Sequence, residues 1–279
     1  MIIGVLLALL AGCSALRLGY NQAPGLVGWW IDSYVDLDES QTPRLRDALR
    51  AWFRWHRGTQ LADYAALLAR LQGELAGPLT AAQVCRWNQD IEARLDTGFA
   101  QAVPSIADIA RTLSPAQLAH LQRRFAKNNA EYRSEFLQPS LEERMRASFK
   151  RIVERTEVVY GRLDDVQRER IAQWTADSPF DAQAWYVERQ RRQQEIAETL
   201  QRIGNEPLSA DEAQRALRLL YEHMWRSPRE GYRAYQERLL AYNCDFAAQV
   251  HNLMTPEQRR HAIGKLKGWE EDLRALAAS

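Results

Sequence analysis

The chain has 279 residues, 46% of them hydrophobic, with 37 Lys or Arg against 36 Asp or Glu and a formal net charge of +1. That balance leaves no global electrostatic footprint for nucleic acid, and the hydrophobic content, with 9 Trp and 10 Tyr, excludes a disordered chain. Three cysteines (Cys13, Cys85 and Cys244) leave little room for thiol or zinc chemistry, because none belongs to a C-x-x-C pair.

The first fourteen residues, MIIGVLLALLAGCS, hold an apolar run from Ile2 to Ala11 that ends in small residues and then a cysteine. That pattern predicts a secretory signal and its cleavage site. Leu10-Ala11-Gly12-Cys13 resembles the lipobox of bacterial lipoproteins, in which the cysteine thiol is acylated and the peptide bond before it is cut. The run stops well short of the roughly 20 apolar residues that a transmembrane helix needs. No Lys or Arg precedes it, where signal peptides carry a basic region, so the expected start lies upstream of Met1. The resemblance implies a signal peptide over 1–12, a lipidated tether over 13–24 and a helical domain over 25–279. It also implies a lipid bilayer as partner through Cys13. Ser14 stands where an Asp would direct retention in the inner membrane, so the expected address is the periplasmic face of the outer membrane.

Beyond the tether, Trp29-Trp30-Ile31 and Tyr34-Val35 form an aromatic segment. Ile31, Tyr34 and Val35 fit one helical face, and the two Trp widen its apolar arc. Trp29, Trp30 and Tyr34 are therefore candidate interface aromatics, read either as lying in the membrane surface, where Trp is favoured, or as docking onto the protein's own bundle. Asp32 and Asp36 read as an exposed acidic face.

From here to the C-terminus the sequence reads as helix. Leu61, Tyr64, Leu67, Leu68, Leu71 and Leu75 share one face of a helix that ends at Gly77-Pro78. A helix start recurs at Leu37-Asp38-Glu39-Ser40-Gln41, Leu79 to Gln83, Leu113 to Gln117, Leu163 to Gln167 and Met254 to Gln258, with a Glu variant at Leu208 to Glu212. Each joins an apolar residue to a capping Ser, Thr or Asp and a Gln or Glu three positions later, the capping box. Alternating strand patterns and Asn-Gly or Asp-Gly hairpin signals are missing. The intervals between starts are irregular, which predicts an all-α, irregular multi-helix bundle of helical hairpins with an N-terminal lipid tether, about 75 to 85% helical.

In an oxidising periplasm Cys85 and Cys244 either pair or stay buried. Pairing is the favoured reading, and it would remove about 5 kcal/mol of unfolded-state entropy on the chain-entropy model. His56, His120, His223, His251 and His261 show no H-E-x-x-H spacing, and neither a G-x-S-x-G elbow nor a P-loop is present. The expectation is therefore no catalytic residue, no metal and no cofactor. Arg189-Gln190-Arg191-Arg192, Arg123 to Lys127 and Glu270-Glu271-Asp272 read as solvated faces, the basic stretches being open to anionic lipid, peptidoglycan or protein.

Two family resemblances follow. The leucine-threonine-x-x-glutamine pattern, strict only at Leu79 to Gln83, is similar to the motif of the Spy/CpxP-type periplasmic chaperones, which are small, helical and non-enzymatic. Tyr20-Asn21-Gln22-Ala23-Pro24, Trp29 to Leu37, His251-Asn252 and Gly268-Trp269-Glu270-Glu271-Asp272-Leu273 resemble the start and end of a helical bacterial lipoprotein family known only as a domain of unknown function. The functional expectation is a non-enzymatic envelope protein that binds, chaperones or helps assemble a periplasmic client, with no nucleic-acid partner. Its rival is an enzyme of cell-wall sugar or peptide, which would need a cleft holding His223 or His251 beside buried carboxylates.

Overall fold

The structure, a computed structural model, describes residues 15–279. The signal segment and Cys13 lie outside the described residues. Eleven α-helices and no strand are found among the described residues, which are 85% helical. In chain order they are α1 (Ala15–Val35), α2 (Gln41–Thr59), α3 (Leu61–Glu74), α4 (Ala81–Ala110), α5 (Pro115–Phe136), α6 (Leu141–Tyr160), α7 (Asp165–Ala176), α8 (Ala182–Asn205), α9 (Ala210–Trp225), α10 (Glu230–Leu253) and α11 (Pro256–Ala277). Residues 15–24, expected to be tether, form the first half of α1.

Capping boxes set six of the eleven helix starts among the described residues. At Thr80, Ser114, Asp164, Ser209 and Thr255 the cap oxygen accepts from the backbone N–H three residues on. The Gln or Glu at that third position accepts in return from the cap's own N–H, so two otherwise orphaned donors are satisfied at each start. A further complete box joins Ser140 to Glu143, without the leading apolar residue that marks the others. At the first motif the same reciprocal bonds form on the turn ahead of α2, whose own N-cap Ser40 makes no side-chain cap bond: Asp38 Oδ1 accepts from the backbone N–H groups of Ser40 (2.8 Å) and Gln41 (2.9 Å), and Gln41 Oε1 accepts from Asp38 N–H (3.1 Å).

Four of these boxes meet in pairs. Gln41 Nε2 donates to Gln117 Oε1 (3.3 Å) and Thr112 O (2.9 Å), while Gln117 Nε2 donates to Gln41 Oε1 (2.6 Å) and Asp36 O (2.9 Å). Gln167 Nε2 donates to Gln258 Oε1 (2.7 Å) and Leu253 O (3.4 Å), while Gln258 Nε2 donates to Gln167 Oε1 (2.9 Å) and Arg162 O (2.9 Å). In all four cases the amide reaches the carbonyl two residues ahead of the partner's cap. One junction thus occurs twice, α2 with α5 and α7 with α11.

Other features recur with it. The helix before each junction ends on a positive φ, at Asp36 (58°) after α1 and at Gly161 (81°) after α6. The ψ of −169° at Gly161 puts it in a region that only glycine occupies readily, whereas Asp tolerates the left-handed value at Asp36. Buried Asn129 on α5 donates to Gln193 on α8 (2.7 Å), and buried Glu270 on α11 accepts from Gln72 on α3 (2.9 Å). Among the described residues α3 is laid on α11 and α8 on α5, so the third helix of α1–α5 and the third of α6–α11 each pack on the last helix of the other set.

Apolar burial fills the space between. Val103, Ala107 and Ala110 of α4 pack with Ile203, Ala213, Ala216 and Leu217 from α8 and α9. Val153, Leu163, Ile171, Val250 and Met254 close the space around α6, α7 and α10, and Leu75, Leu79, Ala248 and Leu266 join α3, α10 and α11. Full burial of a side chain such as Ile171 contributes about 2 to 3 kcal/mol. Cys85 of α4 and Cys244 of α10 are disulfide-bonded, with Cα atoms 5.4 Å apart. Two motif-end residues hold the loop after α3: Asn252 bonds both backbone groups of Leu79 (2.8 Å each), and His251 Nε2 meets Gly77 O at 2.9 Å.

Candidate functional site

A cleft of about 1210 Å³ opens between α5, α6, α7, α8 and α10. Its wall is an aromatic ladder. The Tyr132 ring stacks on Phe136 (centroids 4.6 Å apart, 18°) and on Trp185 (5.1 Å, 17°). Tyr132 and Phe136 are four apart on α5, so they fall on one helix face, and α8 supplies Trp185. Arginines flank the rings: Arg151 lies 4.4 Å from the Phe136 centroid, and Arg189 lies 5.9 Å from both Tyr132 and Trp185. Burial first of all, with Tyr235 nearby, pushes the Tyr132 hydroxyl up to about 12, so it stays a neutral phenol that donates to Ala182 O (3.1 Å).

Arg144, Arg151, Arg155 and Arg189 all line this cleft. Among the described residues none of the four forms an ion pair with a carboxylate; three are held by neutral oxygens of Gln138, Glu135 and Asn129. Glu131, Glu135 and Asp181 line it too, but Asp181 is spent as the cap of α8, accepting from Gln183 and Ala184 N–H. A smaller cleft of about 220 Å³ adjoins the first, sharing Tyr34, Asn128, Trp185 and Arg189 with it and adding Arg192 and Tyr232.

The predicted aromatics divide. Tyr34 lines both clefts and packs against Phe125, whereas Trp29 and Trp30 stay exposed. The histidines do not gather. His251 is buried against Tyr160 and Gly77, His56 is stacked on Trp52 with Tyr20 and Tyr64 at its nitrogens, and burial holds both below the usual imidazole value. His223 is the one beside a carboxylate: its Nδ1 bonds Glu195, which Arg191 also holds at 2.7 Å. Neither residue lines the two clefts. No cluster of three or more metal-ligating side chains exists among the described residues.

Sequence reasoning missed a buried ion cluster. Glu188 is 1% exposed and takes Arg191 (2.9 Å), Arg192 (3.3 Å), Arg229 (3.3 Å) and the Ser227 hydroxyl (2.9 Å). Burial pushes its carboxyl up, and the bonds from Arg191 and Ser227 more than reverse that. Arg191 and Arg192, read as solvated face, are thus its partners, at the i+3 and i+4 spacing that was the available signal. The acidic run near the C-terminus needs the same correction. Glu270 and Asp272 are buried, Glu270 holding Gln72, Lys267 and Arg274, and Asp272 holding Arg17 of α1 at 3.1 Å. Only Glu271 is solvated, because one face of α11 is covered by α1 and α3.

Within this arrangement the cleft offers stacked rings and cationic donors to a bound chain, at a volume above the usual 300–1,000 Å³ of small-molecule sites. No curated protein and no solved structure matches the chain. Residues 33–233 match the model of a family of unknown function, DUF6279; they contain all of the lining of the large cleft except Leu239 and Asn243, and the chain belongs to that family.

Proposed function

We propose that this is an envelope lipoprotein, acylated at Cys13 on the periplasmic face of the outer membrane, that works by binding a periplasmic client polypeptide in the cleft. The observation that carries the binding reading is the set of four guanidiniums without carboxylate partners beside a stacked aromatic wall. Such a surface suits an extended acidic segment with aromatic side chains, since charge complementarity steers the encounter and ring contacts hold it. The lipid anchor is supported by Leu10-Ala11-Gly12-Cys13, and a disulfide suits an oxidising compartment. The cell-wall enzyme reading has one observation in its favour, the His223–Glu195 contact, but Arg191 neutralises that carboxylate and the pair stands outside the cleft.

A photoreactive residue at Met145 or Ser148 should crosslink a discrete client in living cells, and Arg144→Glu with Arg155→Glu should abolish the capture while leaving the fold intact. Capture unchanged by the charge reversal would count against the cleft. Purified protein that turns over cell-wall fragments, with turnover lost in His223→Gln, would replace binding by catalysis. For the anchor, Cys13→Ser should end incorporation of a labelled fatty acid and release the protein from membranes.

A further inference from the structure

We infer that the outward face of α1 lies in the headgroup region of the bilayer that carries the lipid anchor, with Leu18, Leu26, Trp29 and Trp30 inserted. The inference rests on the lipid-anchored reading above. Leu18 is 64% exposed, Leu26 60%, Trp29 71% and Trp30 55%. Their spacing of eight and then three or four residues places them along one side of a helix about 30 Å long. No helix among the described residues is long and apolar enough to cross a membrane, so α1 is suited to lie on the surface and not to span it.

The opposite side of α1 is occupied, which fixes its rotation. Tyr20 packs edge-on against Phe53 and bonds His56 (2.9 Å), a Cβ at Gly28 would stand 3.4 Å from Leu49 Cδ1, and Tyr34 reaches Phe125 and Asn128. Of the two charges of α1, only Asp32 is exposed, at the end of the apolar stretch. Arg17 turns inward to Asp272 at 3.1 Å, and Asp32 comes after Trp30, accepting from Leu37 N–H.

What covers this face follows from how close α1 lies to Cys13 in the sequence. Ala15 is two residues after Cys13, and two residues span at most about 7 Å. An acylated Cys13 therefore holds the first turn of α1 at the headgroups, where Trp is favoured. Between Arg17 and Asp32 the helix has no ionisable acid or base apart from Tyr20, so its attachment needs no anionic lipid. Trp30 also packs on Tyr34 (4.9 Å), so the client cleft opens beside the membrane.

The test uses the full acylated chain in vesicles of neutral phosphatidylcholine. Cys85 and Cys244 are paired and Cys13 is acylated, so Leu26→Cys, Trp29→Cys or, as a control on α9, Leu219→Cys each gives one site for a nitroxide. Labels at 26 and 29 should become several-fold more accessible to oxygen than to a water-soluble nickel chelate on vesicle binding, while the label at 219 stays open to the chelate. Equal chelate access at 26, 29 and 219 would overturn the inference. So would shielding at 26 and 29 that is already present without vesicles, which would mean a second copy covers the face. Mass spectrometry of the purified chain reports acylation separately. A bare Cys13 would sink the anchor, and with it the reason for α1 to lie at the headgroups, independently of the label results.

Discussion

Replacing Gln41 by Leu tests the paired capping boxes most directly. The side chain keeps roughly its volume, but Thr112 O loses its donor, Asp38 N–H loses its acceptor, and both bonds to Gln117 disappear. A buried polar group left without a partner costs about 1 to 3 kcal/mol, so two of them put the loss at about 3 kcal/mol. Gln117→Leu strands Asp36 O and Ser114 N–H and should cost about the same. The double variant should cost about 1 to 2 kcal/mol less than the sum, because each single change already removes the reciprocal amide bonds. Gln167→Leu and Gln258→Leu should give a similar cycle at the second junction. Gln41→Leu with Gln258→Leu, which share no partner, should add to within about 0.5 kcal/mol. Urea unfolding at constant m-value measures all of these. Additivity of Gln41→Leu and Gln117→Leu, or a single variant costing under about 1 kcal/mol, would refute the reasoning.

Unfolded, unreduced protein should show no titratable thiol at Cys85 or Cys244, and reduction should lower stability by up to about 5 kcal/mol; two reactive thiols would contradict the pairing. Bonds from Gln72, then from Arg274 and Lys267, hold the Glu270 carboxyl down at about 2. Its contribution is complete above the ordinary carboxylate value of 4.5 and is lost as pH falls towards 2, so Gln72→Leu should move the acid unfolding midpoint to higher pH. Burial pushes Tyr132, Tyr160 and Tyr232 up to about 12. Their contribution is complete below pH 10 and lost as pH rises to 12, so phenolate absorbance should show late-titrating tyrosines that ionise together with unfolding. Glu188→Ala should cost about 3 kcal/mol or more by leaving Arg191, Arg192 and Arg229 facing one another, and Glu188→Gln less; a near-neutral Glu188→Ala would show that the cluster is solvated.

Local structure was legible because its causes are local. A Ser, Thr or Asp three residues before Gln or Glu satisfies orphan donors wherever it occurs, so the helix starts could be read directly. Whether two such boxes face each other depends on helices that are 76 or 91 residues apart, and no pattern within one helix encodes that. One clue was in view: Leu113-Ser114-Pro115-Ala116-Gln117 and Met254-Thr255-Pro256-Glu257-Gln258 are each followed by His two residues after their next residue, at His120 and His261, which marks α5 and α11 as counterparts. The cleft was illegible for the same reason as the junctions. Tyr132, Arg151 and Trp185 look like ordinary helix residues until α5, α6 and α8 converge. Tyr34 stood out for its neighbours Trp29 and Trp30, and it lines the cleft because, one turn after Trp30 and packed on it, it stands where α1 docks against Phe125 of α5.

The exchange of third helices sets a rule for the order of synthesis. Leu68 and Leu71 of α3 pack into the same apolar cluster as Leu266 and Ile263 of α11, and Gln72 waits for Glu270, 198 residues further along. An emerging chain therefore carries the apolar side of α3 without its cover until α11 has been made and delivered. High contact order of this kind slows folding and prolongs exposure to aggregation. Truncation before α11 would accordingly leave a product that resembles a stalled nascent chain, recognised by holding factors and proteases even though the ten helices before it among the described residues are intact.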